Sequence, residues 1–253
     1  MQMVLLTALG VGGATVFGAL IGFLFKKPSH KFNDIVLSFA AGVMLAAAVL
    51  GLIVPSLEYG GGKTAVLVTV AGIFCGAICL NLIDRLVPHL HKLTGVDSEL
   101  HPEKTERLDK VLLFVIAIAI HNLPEGIAAG VSFGSDNIAQ AITVAGGIAF
   151  QNIPEGMIII APMIAAGISK KRTFSIALAT GVVEVVGTLI GYFAVSISTA
   201  ILPFALAFAG GTMLYVISDE MIPETHAHGN ERGATYSLLV GFAFMMAFDF
   251  LMA

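Results

Sequence analysis

Two hexapeptides set out the chemistry this chain could do: HNLPEG, from His121 to Gly126, and QNIPEG, from Gln151 to Gly156. In a helix, positions i and i+4 share a face. His121 therefore stacks with Glu125, and Gln151 with Glu155, while Asn122 and Asn152 add an oxygen donor three residues before each glutamate. Pro124 lacks the N–H that would bond the carbonyl of Ile120, and Pro154 does the same to Phe150. Both segments are thus predicted to be kinked helices with polar side chains and freed carbonyls at one level. In a dry segment such groups need an ion, water or a partner helix.

The elements that carry these motifs are apolar. Hydrophobic residues make up 57% of the 253 residues and charged residues 12%, against roughly a quarter charged in soluble domains. With a mean hydropathy of +0.93, the chain reads as an all-α integral membrane protein. Stretches of about 20 apolar residues can each cross a bilayer. Eight occur, at about 4–25, 35–57, 65–87, 111–133, 139–168, 174–199, 201–218 and 236–252, forming a single transmembrane domain over 1–253. Spans four and five carry the hexapeptides. The first run lacks a basic n-region and cleavage site, so it is read as a retained span. Cys75 and Cys79, the only two cysteines, sit together in an apolar run and suggest no disulfide framework.

The basic residues orient these spans. Of the 13 Lys and Arg, 11 fall in the first, third, fifth and seventh loops and Arg85 at the third-loop end of span three, with only Lys63 in an even loop. By the positive-inside rule the odd loops are cytoplasmic and both termini lie outside. The third loop, 88–110, contains His89, His91 and His101. The seventh reads DEMIPETHAHGNER, with Glu220, Glu224, His226 and His228. His89, His91, Glu220, Glu224, His226 and His228 form a candidate exit-side metal group; ordinary solvated polar residues are the plainer reading.

Span six adds Glu184 inside GVVEVVG. A charged side chain there costs on the order of 2.5 to 3.5 kcal/mol on insertion scales, and neither Glu125, Glu155 nor Glu184 has a Lys or Arg nearby in its own span. Protonation or a bound cation would offset that cost. The cation fits the company better, because imidazole with carboxylate is the ligand mixture of zinc, iron or manganese. The candidate metal residues are His121, Asn122, Glu125, Gln151, Asn152, Glu155 and Glu184.

Taken together, the paired motifs, the intramembrane glutamate, eight spans and a His-containing third loop resemble the ZIP (Zrt-/Irt-like protein) family of divalent metal transporters, in particular its bacterial GufA-like branch. The resemblance covers essentially the whole chain. It implies a two-metal centre in which His121, Glu125, Gln151 and Glu155 form the primary site. Asn122, Asn152 and Glu184 complete its neighbour, and Glu125 and Glu155 bridge the two. It further implies transport towards the cytosol, an elevator-like motion of spans one, four, five and six against the others, and a homodimer. Gln151 stands where many members have histidine, and Asn152 where some have a carboxylate. Three carboxylates leave −1 against one divalent ion and +1 against two, so one well-held ion is expected. Zinc is the first substrate expected, with cadmium, iron and manganese open.

Rival classes leave marks that can be sought. An intramembrane metalloprotease needs H-E-x-x-H on one helix, and an ATP-driven pump a G-x-x-x-x-G-K-[ST] loop. Neither string occurs, so no enzymatic activity, nucleotide or nucleic-acid partner is expected. A metal-selective channel or a metal sensor would use the same ligands and is the alternative reading. Short loops fit a prokaryotic inner membrane, with membrane lipid and the transported ion as the partners.

Overall fold

The computed structural model describes residues 1–25, 28–86, 120–135, 137–165 and 167–252. Among these the secondary structure is helical throughout: α1 Gln2–Gly22, α2 His30–Gly60, α3 Gly62–Leu86, α4 over 120–132, α5 Ile138–Ala165, α6 Lys170–Ile197, α7 Thr199–Thr225 and α8 Glu231–Met252. Seven of them, all but α4, are long and apolar enough to cross a membrane within the described residues. The first half of span four and the loop 88–110, with His89, His91 and His101, lie outside the described residues.

Helix starts follow local capping chemistry. Ser29, Asn137 and Ser169 each accept a backbone N–H three residues on, from Phe32, Gln140 and Arg172, so each satisfies an orphan donor of the first turn. The α2–α3 turn runs through Gly61 and Gly62, at φ +60° and +67°, where a Cβ would be strained. Ser198, in extended backbone, separates α6 from α7.

Two helices depart from plain α geometry. Ala47–Ile53 in α2 and Ile217–Met221 in α7 are π-helical, and each lies just ahead of a proline, Pro55 or Pro223. A proline removes one amide donor and crowds the carbonyl four residues back, here that of Gly51 or Asp219, and a widened turn accommodates both effects. Span seven therefore does not stop at 218. Helix continues to Thr225, and Asp219, Glu220 and Glu224, read from the sequence as loop residues, belong to its last turns.

Glycines decide which helices touch. A Cβ on Gly12 would lie 2.2 Å from the Gly181 carbonyl oxygen, on Gly18 2.1 Å from that of Ile153, on Gly126 2.3 Å from that of Glu184 and on Gly130 2.0 Å from that of Thr188. These contacts hold α1, α4, α5 and α6 backbone to backbone, the close approach that small residues permit in membranes. Gly42 and Gly241 join α2 to α8, and Gly76 and Gly211 join α3 to α7, in the same way. Contacts across the two sets are of another kind. Gly51 of α2 meets the side chain of Val144, and Gly146 and Gly147 of α5 meet those of Phe248 and Met245. The molecule is thus built as one four-helix block, α1, α4, α5 and α6, joined backbone to backbone, beside two such pairs, α2–α8 and α3–α7, which meet each other through side chains such as Ile53 against Gly210 and together make the second block. Large apolar side chains such as Leu67, Phe74, Phe250 and Leu251 face outward, as expected where lipid is the solvent.

Candidate metal site

Both hexapeptides lie on the first block, on α4 and α5, and Glu184 faces them from α6. Gly126, which closes the first motif, abuts the Glu184 backbone, so the α4–α6 seam itself sets the depth of the carboxylate. Pro154 sits inside a helix that runs on from Ile138 to Ile158. Asn122, Glu125, Gln151, Asn152 and Glu184 are all buried, whereas His121 and Glu155 are partly exposed.

The side chains form three linked groups. In the deepest, Glu184 accepts from Thr15 at 2.6 Å, from Nδ2 of Asn152 at 2.7 Å and from Nδ2 of Asn122. In the middle, Nε2 of Gln151 donates to Oε1 of Glu125 at 2.7 Å. Towards the partly exposed end, Nε2 of His121 stands 2.8 Å from Oε1 of Glu220, and Glu155 lies within electrostatic reach of both. Glu125, Glu155 and Glu184 also feel one another's charge. Of the six buried side-chain oxygens without a hydrogen-bond partner among the described residues, three belong to this site: Oε2 of Glu125, Oδ1 of Asn152 and Oε1 of Gln151. Buried polar atoms are normally satisfied, and here three acceptors of neighbouring residues are left over.

The arrangement differs from the sequence expectation in detail. His121 turns to Glu220 on the second block. Among the described residues no three His, Cys, Asp or Glu side chains stand together as a metal would require, because the buried donors here are largely amides. Nor do Glu220, Glu224, His226 and His228 converge. His226 caps its own helix on the Ile222 carbonyl at 2.8 Å and reaches Thr235 at 3.2 Å. His228 meets Asp34 at 2.9 Å and stacks on His30. Thr15 is the participant that sequence reasoning missed, and Glu220, expected in an exit-side group, stands instead against His121. A hydroxyl midway along span one and a proline four residues after Asp219 were the available signals.

A bundle that is helical throughout the described residues, apolar on its outside and with acidic and amide side chains buried on facing helices, defines an integral membrane protein. Comparison with known proteins places it. The ZIP Zinc transporter family profile matches residues 95–249. The zinc transporter GufA of Myxococcus xanthus is 40% identical over 250 residues, 97% of each chain. The zinc transporter ZIPB of Bordetella bronchiseptica is 38% identical over 93% of this chain and 77% of its own, and the human zinc transporter ZIP11 31% identical over 94% and 93%. The chain belongs to the ZIP family of metal transporters, in its GufA-like bacterial branch, and is a transporter and not an enzyme.

Proposed function

We propose that this chain carries a divalent cation, zinc first, across the membrane towards the cytosol. The ion is held by His121, Glu125, Gln151 and Glu155, with Asn122, Asn152 and Glu184 beside it. The observation that carries this reading is the set of partnerless buried oxygens on Glu125, Gln151 and Asn152. A single proton on Glu125 gives one O–H donor and so satisfies at most one amide oxygen besides the carboxylate; a cation can take all three. That argues for an ion site over a proton relay. The relatives' printed substrate is zinc, and the mixed donor set also accommodates cadmium, iron and manganese.

The path follows the blocks. Backbone-to-backbone seams within the first block, and side-chain contacts between it and the second, suit an elevator-like slide of α1, α4, α5 and α6, carrying the ion, along α2, α3, α7 and α8. Glu220, opposite His121, stands on the second block where the ion would leave. The charge pattern of the loops puts this end in the cytoplasm, with residues 88–110 as a cytoplasmic loop and both termini outside. A single transmembrane domain in a prokaryotic inner membrane, paired as a homodimer, completes the reading.

Purified protein in liposomes tests it. A carrier gives zinc influx that saturates and slows steeply on cooling, and elemental analysis of the loaded protein returns about one tightly held equivalent. Non-saturating, weakly temperature-dependent flux would make the chain a channel, and tight binding without flux a sensor.

A further inference from the structure

Helix α1 carries none of the candidate ligands, yet two of its groups reach the middle of the site. Thr15 donates its hydroxyl to Oε1 of Glu184 at 2.6 Å, and the carbonyl of Val11 accepts from Nδ2 of Asn152 at 3.3 Å. Positions 11 and 15 are one turn apart on one face. The Gly12–Gly181 contact, and the approach of Gly156 to the Thr15 carbonyl, fix that face against α6 and α5. Threonines inside helices commonly turn the hydroxyl onto their own backbone, and Thr143, Thr180, Thr188 and Thr212 do so here. Thr15, although equally buried, sends its hydrogen across to another helix.

The consequence concerns which atom each asparagine shows to the ion. An amide oxygen set against a carboxylate would be repelled, so Asn122 and Asn152 both turn Nδ2 to Glu184. Both N–H bonds of Asn152 are then used, one by Glu184 and one by Val11, and its Oδ1 is left buried without a partner among the described residues. Held in this way, Asn152 presents only a carbonyl oxygen to the ion pocket.

We propose that Thr15 is a positioning residue of the ion site: by holding Glu184, it keeps Nδ2 of Asn122 and Asn152 on that carboxylate and so locks Asn152 with its carbonyl oxygen towards the transported cation. Removing the hydroxyl frees Oε1 of Glu184 to turn, and the Asn152 amide can then rotate an N–H towards the ion, which repels it. The inference rests on the reading of the site given above.

The test is zinc uptake into liposomes by Thr15→Val, which keeps the shape and removes the hydroxyl, and by Thr15→Ser, which restores it, with Glu125→Ala in parallel. Loss of an outer partner typically costs 10- to 100-fold in metal affinity. We expect Thr15→Val to raise KM for zinc by roughly tenfold or more, with kcat per folded protein within about twofold, and Thr15→Ser to return KM to near wild type. An unchanged KM in Thr15→Val overturns the inference, as does a fall in kcat alone or a loss that Thr15→Ser fails to rescue. If Glu125→Ala still transports, it is the parent reading of the site that fails.

Discussion

At the scale of single residues, the account turns on oxygens and on which atoms already have partners. Glu125→Ala and Glu155→Ala are each expected to reduce uptake to background while leaving the folded protein in the membrane. Asn122→Ala should only lower it, because Asn122 contributes a neutral donor beside the charged ones. Uptake normalised to folded protein checks all three. Acid should act in the same direction: metal ligands must be deprotonated, so as pH falls the carboxylates and His121 take up protons and influx declines. Influx that rises steadily with acidity would mean protons drive the ion and do not compete with it. That Asn122, Glu125, Gln151 and Asn152 are buried together was legible from the sequence, because spacing of i and i+4 beside a proline is a local signal. The orientation of His121 was not. Its partner, Glu220, lies 99 positions away, and only the tertiary fold brings it near.

At the scale of helices, glycine seams and π segments decide where those residues stand. A methyl on Gly126 would meet the Glu184 carbonyl oxygen at 2.3 Å, whereas one on Gly13 of α1 meets nothing within 4 Å. Overpacking typically costs about 1–3 kcal/mol. Gly126→Ala should therefore lower the melting temperature in detergent, and Gly13→Ala should leave it unchanged or raise it, since alanine is the better helix former. Equal melting of the two variants would contradict the seam. Seven of the eight expected spans appear as long apolar helices among the described residues; they were readable because each apolar run is as long as a bilayer is thick. The end of span seven was not. Asp219, Glu220 and Glu224 look like a solvated loop by composition, but Pro223 widens the helix without ending it, and the helix runs on to Thr225.

For the whole molecule, the claim is that one four-helix block moves against the other. Gly51 on α2 and Val144 on α5 face each other across that boundary: a Cβ on Gly51 would lie 3.7 Å from Cβ of Val144, within the usual range for a disulfide. With Cys75 and Cys79 replaced, the pair Gly51→Cys and Val144→Cys should stop transport when oxidised and recover it on reduction. Full-rate transport by the oxidised protein would show that the blocks do not slide there. The partition into blocks could not be read from composition, since glycines of both kinds lie in similar small-residue runs. What marks the first block is that Gly12, Gly18, Gly126 and Gly130 meet backbone within it, whereas Gly146 and Gly147 meet side chains of the second.

The central claim is that the buried donors of α4 and α5 hold the transported ion, and the most direct measurement is zinc influx into liposomes carrying wild type or Glu125→Ala, with cadmium, manganese and iron offered as competitors. The account predicts saturable zinc influx in the wild type, none above background in the variant, and competition by the metals that share the site. Wild-type influx in Glu125→Ala would contradict it and place the ion path elsewhere in the molecule.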